Sequence, residues 1–339
     1  MIRIVGLATA FLVSTLALPA AALPTADEVL ELLGFSGDAK QQVLAGEFVT
    51  AKVKSTSDRE LATSLAFLVN KPPSELIEKV RKGLAMTVDP DTLAHGEISG
   101  AGSLDDFKGA AFAKDAKKQT KLYLDAKPGG DLNLSASEIA AFKALDAKAS
   151  GESAQELVEA QLRRSLLLRY HAYQSKGLDG VESYERRGGK QSPAGGDLKR
   201  ASEAAAGFKK HVPAFYQMLV GYPSSKASKL EESFDWTHYD AHGTPVFILT
   251  HRFWMPDGDG WALAARQFYV SGSYNVGQAL VGLLPVEKGT LVVYLNRTST
   301  DQVAGFGSST KRALGSKIMT SQLKDLFHKV KSAAEQSGG

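Results

Sequence analysis

Residues 245–270 read PVFILTHRFWMPDGDGWALAARQFYV, two stretches rich in aromatic and β-branched residues on either side of PDGDG. Such stretches predict β-strands, and the Gly- and Asp-rich turn predicts that they pair as a hairpin. The pattern continues on both sides and gives five strand candidates, at residues 233–239, 245–254, 262–271, 275–284 and 290–298. Short turns join these candidates, so the sequence predicts an antiparallel β-meander.

A long helix is predicted after the meander, over residues 308–334. Leu314, Ile318, Leu326 and Val330 recur along it at helical spacing. This spacing predicts a wide apolar stripe, which we expect to pack against the sheet.

The chain before the meander contains a further hairpin and several helices. The hairpin is predicted at residues 48–53 and 61–69, and a helix at 74–83 follows Lys71-Pro72-Pro73. Between residues 84 and 134, short strand candidates lie at 85–88, 92–99 and 122–125.

The predicted fold class is α+β, a curved antiparallel β-meander packed on a long C-terminal helix, with an inserted helical segment. The chain divides into a signal peptide at residues 1–22, N-terminal helices with the hairpin at 23–134, the helical insertion at 135–222, and the meander with its helix at 223–339. We expect residues 23–339 to form one compact domain.

The first 22 residues have the three parts of a secretory signal peptide. Arg3 is followed by an uncharged apolar run at residues 4–18 and by Pro19-Ala20-Ala21-Ala22. This pattern predicts cleavage after Ala22 and a periplasmic or secreted mature protein.

Composition excludes several classes of protein. The chain has no cysteine, which excludes a disulfide framework, and its 40 Lys and Arg nearly balance 37 Asp and Glu. A nucleic-acid partner is therefore not expected. The phosphate-loop pattern and the G-x-S-x-G nucleophile elbow are both absent, and no cofactor is predicted.

The order of elements resembles the helix-grip fold of START-like lipid-transfer and polyketide-cyclase-like proteins. Three features carry the resemblance: the hairpin ending in Lys71-Pro72-Pro73-Ser74-Glu75-Leu76, the meander from Glu232 to Asp301, and the helix after Gly305-Phe306-Gly307. The inserted helices depart from that fold. The resemblance implies a cavity for an apolar ligand such as a sterol or fatty acid, and it does not imply an enzyme.

Arg252 and Arg266 interrupt otherwise apolar strand candidates. With an even hairpin register the two arginines share one face of the sheet, whereas a slip of one residue separates them. Each guanidinium would lie on a solvated face, bind an anionic ligand group, or form an internal salt bridge. If a ligand is bound, one of the two arginines is expected to meet its polar end.

Aromatic residues crowd the meander, where they form either a solid core or the lining of a ligand cavity. If the cavity exists, it should lie between the meander and the C-terminal helix. The predicted ligand-binding residues are Arg252, Arg266, Phe268, Trp236, Phe247, Leu314, Ile318 and Met319.

Two further clusters contain residue types that bind ions in other proteins. Gly307, Ser308, Ser309 and Lys311 form a candidate anion site at the start of the C-terminal helix, and a flexible turn is the alternative. The histidines of the first meander hairpin, His238, His242 and His251, are too far apart to converge on zinc, so no metal site is predicted.

Three functions are compatible with these features. The first is a carrier or binding protein for a small hydrophobic or lipid-like molecule, with transient membrane contact. The second is an envelope enzyme, for example a hydrolase, that uses the same cavity. The third is a structural or interaction protein with a solid core. A carrier needs a closed apolar pocket and an enzyme needs converging titratable groups, whereas an interaction protein exposes an apolar patch.

Overall fold

The computed structural model of the protein describes residues 25–35, 37–146, 152–241, 243–305 and 307–336. The predicted signal peptide, His242 and Phe306 lie outside the described residues. No helix in the described ranges is both long enough and apolar enough to cross a bilayer.

Eight strands form one antiparallel sheet, in the order β1-β2-β10-β9-β8-β7-β6-β3. The strands are β1 Val49–Lys52, β2 Glu60–Val69, β3 Thr92–Ile98, β6 Glu231–Asp240, β7 Pro245–Asp257, β8 Gly260–Val270, β9 Val276–Val286 and β10 Gly289–Ser299. A separate two-stranded sheet pairs β4 Tyr184–Glu185 with β5 Gln191–Ser192. The predicted meander (β6–β10) and the predicted hairpin (β1–β2) are both confirmed.

The helices are α1 Ala26–Leu32, α2 Ala39–Leu44, α3 Pro73–Arg81, α4 Leu84–Val88, α5 Ala116–Leu124, α6 Ala136–Asp146, α7 Glu152–Lys176, α8 Ala194–Glu203, α9 Ala206–His211, α10 Pro213–Gly221 and α11 Ser308–Glu335. The predicted long C-terminal helix and the helical insertion are confirmed. The sequence also sets local boundaries: Thr25 and Glu28 close a capping box on α1, and Ser135 and Glu138 close another on α6.

The short strand candidates between residues 84 and 134 have mixed outcomes. Residues 92–98 form β3, which pairs with β6, whereas 85–88 and 122–125 lie in or at the end of α4 and α5. A short apolar run does not distinguish strand from helix by its periodicity, so these two predictions were wrong.

Helices cover both faces of the large sheet. The face that includes Phe247 and Leu249, here called the insertion face, packs against Leu162 and Tyr173 of α7 in the largest apolar cluster. The opposite face, here called the α11 face, includes Phe67, Leu263 and Val292, and it packs against residues of α3 and α11 such as Leu76, Ile77 and Ala334.

Helix α11 is anchored to the sheet through its second half. Phe327 packs on Phe67 and Tyr294, with ring centroids 5.2 and 4.7 Å apart, and Val330 and Ala334 are buried. Leu314 and Ile318 in the first half are 61% and 50% exposed. The prediction that the apolar stripe packs on the sheet is therefore wrong for these two residues.

The first half of α11 approaches the sheet through small and polar residues instead. Oγ1 of Thr320 lies 2.9 Å from Oγ1 of Thr63. A Cβ added at Gly315 would lie 3.0 Å from Cδ2 of Leu61, so the helix passes close to β2 at this point. This close approach turns Leu314 and Ile318 outward.

Replacing Phe327 with alanine is expected to reduce the free energy of unfolding by about 2–3 kcal/mol, toward the low end for aromatic truncations because the ring is half-buried. Ile318→Ala serves as the matched control and should change that free energy by less than about 0.5 kcal/mol. Urea denaturation of both variants measures the difference. Equal losses would contradict the observed orientation of α11.

Candidate functional site

The hairpin of β7 and β8 places the two strand arginines on opposite faces of the sheet. Asp257 pairs with Gly260 across a two-residue turn, so Arg252 lies opposite Ala265, and Arg266 lies opposite His251. The two arginines would share one face of the sheet only if the hairpin had an even register, and the observed register is odd. Arg252 is on the α11 face, and Arg266 is on the insertion face.

Arg266 is fully buried beneath the helical insertion, where its guanidinium donates to four neutral groups. Nε donates to Oε1 of Gln278 at 3.0 Å, and Nη1 donates to the Tyr173 hydroxyl at 3.0 Å. Nη2 donates to Oγ of Ser202 at 3.0 Å and to the Leu219 carbonyl at 2.5 Å. One side chain thereby ties the sheet to α7, α8 and α10.

A chain of hydrogen bonds links this buried cation to a surface carboxylate. The Tyr173 hydroxyl accepts from Arg266, so its own proton is free to be donated to Nδ1 of His251, 2.9 Å away. Nε2 of His251 then donates to Oε2 of Glu232 at 3.0 Å. These contacts assign the neutral Nε2–H tautomer to His251.

Burial controls the protonation of this chain. It lowers the pKa of His251 to about 4, even though the Glu232 carboxylate favours the charged imidazole. Burial also raises the pKa of Tyr173, and the hydrogen bond from His251 lowers the pKa of Glu232. Near neutral pH, His251 is therefore neutral. The hydrogen-bonded series then joins the Arg266 guanidinium at one end to the Glu232 carboxylate at the other.

Three aromatic residues predicted to bind a ligand lie in the core of the insertion face. Phe268 stacks on Tyr173 with ring centroids 4.1 Å apart, and Phe247 stacks on His238 at 4.3 Å. The Trp236 indole donates to the Asp106 carbonyl at 2.8 Å. All three are buried against protein, so a ligand would reach them only by displacing the helical layer.

Arg252, on the α11 face, is half-buried and has a charged partner. Its Nε lies 3.0 Å from Oδ2 of Asp235, and its Nη2 lies 3.0 Å from Sδ of Met86 on α4. Asp235 is buried, and burial raises the pKa of its carboxyl. Of the three predicted environments, the internal salt bridge is the one found for Arg252.

A row of cross-strand partners runs from Arg252 across the α11 face. Arg252 pairs with Ala265, Ala265 with Ala279, and Ala279 with Asn296, from β7 to β10. Three strand spacings separate the ends of the row by about 14 Å. Because the two central residues carry only methyl groups and the end residues are longer, the row forms a trough.

The residues of the trough are partly exposed, whereas residues on the other face of the same strands are buried. Arg252, Ala265, Ala279 and Asn296 are all half-buried, whereas Arg266, Gln278 and Leu280 on the insertion face are buried. Met319 of α11 borders one end, with Sδ 3.1 Å from Nδ2 of Asn296. We call this trough, formed by Arg252, Ala265, Ala279, Asn296 and Met319, the Ala groove.

The candidate anion site at the start of α11 is exposed. Gly307 takes a left-handed conformation at the helix N-cap, with φ of 72°, and Ser309 and Lys311 face solvent. Arg312, the second cation of this turn, donates to the Asp58 carbonyl at 3.1 Å. These residues form a helix start tied to the β1–β2 turn.

Two open surface depressions lie away from the predicted ligand-binding residues. One, of about 510 Å³, surrounds Lys117 and Lys118 on α5, and the other, of about 360 Å³, lies between Pro72 and Pro285. Among the described residues, no three histidine, aspartate or glutamate side chains are grouped as a metal site.

No site role was predicted from the sequence for Tyr173, Ser202, Gln278, Ala265 or Ala279. The first three contact Arg266 from distant parts of the chain, and nothing in the local pattern points to them. The two alanines were detectable, because small residues in an aromatic-rich strand pattern mark places where a sheet face leaves room.

Comparison of the chain with protein-family models, with curated proteins and with solved structures found no match. The helix-grip resemblance therefore stays a prediction.

Proposed function

We propose that the protein binds a lipid-like amphiphile in the Ala groove and acts as a carrier or binding protein rather than as an enzyme. The supporting observation is the half-buried floor of Ala265 and Ala279 beside the Arg252 guanidinium. This arrangement offers an apolar trough with one cation at its end, the two features that a fatty-acid-like molecule needs.

The chemistry of the groove suits such a ligand. An acyl chain would lie on the two alanine methyl groups and against Met319, whose flexible thioether adapts to different shapes. The planar Arg252 fork would bind a carboxylate or phosphate by two hydrogen bonds, competing with its partner Asp235. Each methylene removed from water contributes about 0.8 kcal/mol, so chain length should govern affinity.

The buried chain from Glu232 to Arg266 gives the enzyme alternative little support. His251 and Arg266 have no exposed surface, so a substrate has access only to Glu232, which is partly exposed. A buried, fully hydrogen-bonded chain of this kind fixes the packing of the insertion on the sheet.

Export belongs to the same proposal. The charged, apolar and small-residue segments of residues 1–22 support secretion to the periplasm or beyond, where a protein without cysteine needs no disulfide oxidation. The ligand would then be an envelope lipid or its breakdown product.

Ala279→Phe is expected to weaken binding of a fluorescent fatty acid at least tenfold, because the ring would fill the floor of the groove. A tenfold loss corresponds to about 1.4 kcal/mol. Ala279→Ser is the matched control, since it keeps the size of the side chain, and Ala265→Leu provides a second way of filling the groove. Fluorescence titration measures each affinity. The proposal is wrong if the wild type does not bind, or if both filled variants bind as the wild type does.

The double variant Arg252→Gln/Asp235→Asn tests the polar end without leaving a buried carboxylate unpaired. It should bind the fatty-acid anion at least fivefold more weakly and the uncharged methyl ester about as tightly as the wild type does. The expected factor corresponds to about 1 kcal/mol for one exposed charge pair. Equal losses for both ligands would exclude a role for Arg252 in recognising charge.

A further inference from the structure

The first half of α11 exposes two large apolar side chains on one face. Leu314 and Ile318 are one helical turn apart and are 61% and 50% exposed. Thr310 and Ser321, on the same face, are also exposed and carry small side chains. Large apolar residues placed together outside the core indicate a contact surface.

Two exposed lysines flank this apolar pair. Lys311 and Lys317 are exposed three residues before Leu314 and three residues after it, one on each side of the exposed face. The sequence contains no acidic residue between Asp301 and Asp325. We call the surface formed by Lys311, Leu314, Lys317 and Ile318 the basic apolar patch.

The patch is held firmly in place. Arg312 donates to the Asp58 carbonyl at 3.1 Å, and Thr320 contacts Thr63 at 2.9 Å. At the far end of α11, Lys79 donates to the carbonyl groups of Ala333 and Ala334 at 3.1 and 2.8 Å. These contacts fix the side of α11 that faces the molecule, so the patch lies on the outward-facing side.

From this geometry we infer that the basic apolar patch docks on an anionic lipid bilayer. A bilayer offers negative headgroups to the two lysines and, just below them, an apolar layer for Leu314 and Ile318. The inference concerns the outer face of α11 and does not rest on the Ala groove.

A second copy of the chain fits this surface less well. A two-fold symmetric contact brings the same patch together from both copies, and the lysines of one would face the lysines of the other. Two exposed apolar side chains also provide far less area than the roughly 1,000 Å² of a stable protein interface. The charge and the size of the patch both favour a lipid surface.

Co-sedimentation of the full protein with phosphatidylglycerol–phosphatidylcholine vesicles tests the inference. The wild type should bind these vesicles, bind pure phosphatidylcholine at least tenfold more weakly, and lose affinity as salt screens the lysines. Leu314→Ser/Ile318→Ser should weaken binding at least tenfold. Lys311→Gln/Lys317→Gln should weaken it about fivefold per lysine.

Matched changes elsewhere serve as controls. Leu168→Ser replaces a 67% exposed leucine on α7, and Lys117→Gln/Lys118→Gln removes two exposed lysines from α5. Both should bind as the wild type does, as should Ala279→Phe, which separates vesicle docking from the Ala groove. The inference is overturned if the wild type does not bind, or if Leu314→Ser/Ile318→Ser binds normally. It is also overturned if light scattering finds a dimer that this variant dissociates.

Discussion

Replacing Arg266 with methionine is expected to lower the free energy of unfolding by about 3–5 kcal/mol, among the largest effects of any single substitution in this protein. Methionine fills much of the same volume but donates no hydrogen bond. The Ser202 and Tyr173 hydroxyls would each lose the hydrogen bond that they accept from Arg266, and Oε1 of Gln278 would keep only the one from the Ser202 hydroxyl. A buried acceptor left without a donor costs about 1–3 kcal/mol.

Two controls separate this effect from a general loss of charge. Arg266→Lys keeps the charge but lacks the fork that reaches several acceptors at once, so it should also destabilise, by about 2–3 kcal/mol. Arg200→Met removes a more exposed guanidinium and should cost about 1 kcal/mol at most. Urea unfolding followed by circular dichroism measures all three. A loss below about 1 kcal/mol for Arg266→Met would mean that the bonds to the insertion are dispensable.

The meander was predictable because each of its strands has a local sequence pattern that indicates a strand. Alternating apolar and aromatic residues, such as those of 245–254, end at turns rich in glycine and aspartate. The long helix α11 was predictable because apolar residues recur along it at helical spacing. Residues 85–88 were not, because four residues of mixed apolar character suit a short helix as well as a strand.

The orientation of α11 shows where the local pattern stops being informative. Leu314 and Ile318 continue the spacing of the apolar stripe, yet the helix meets the sheet near Phe327 and Ala334. Periodicity identifies the apolar side of a helix. The number of turns over which that side is buried depends on the size of the elements that pack against it. Here Gly315 and Thr320 mark the part that contacts β2 closely.

The candidate sites depended on geometry that a single sequence does not provide. The faces of Arg252 and Arg266 followed from a one-residue difference in hairpin register, and the sequence was compatible with either register. The contact from Arg266 to Tyr173 spans 93 positions of the chain, and no local pattern encodes it. The arginines themselves were found because charged residues interrupted apolar strands.

Acid is expected to destabilise the protein between about pH 6.5 and pH 4, and the loss of stability should begin well above the pH at which most carboxylates become protonated. His251 and His238 are both fully buried on the insertion face, and burial lowers the pKa of each imidazole to about 4. In the unfolded chain each returns to about 6.5. The unfolded state therefore binds more protons than the folded state throughout this interval, so stability falls as the pH falls.

Each histidine should contribute about 1.4 kcal/mol of lost stability per pH unit, which is about 3.4 kcal/mol per histidine across the whole interval. The contribution is complete near pH 4, below which the folded state takes up the proton as well. His238 stacks on Phe247 and has no hydrogen-bond partner in the described part of the chain, so His238→Phe should keep the packing and remove one of the two slopes.

His251→Gln keeps an acceptor for Tyr173 and a donor for Glu232, and it should remove the other slope. Urea unfolding of the wild type, both variants and the exposed control His95→Gln, at half-unit steps from pH 7 to pH 4, measures these slopes. The wild type and His95→Gln should lose stability together, each single variant at about half that rate. Curves for His251→Gln and His238→Phe that run parallel to the wild type would contradict the argument. In that case the acid sensitivity would have to come from carboxylates such as Asp301, whose pKa is lowered by its bonds to Ser192 and Arg186 despite partial burial, and it would appear only nearer pH 4.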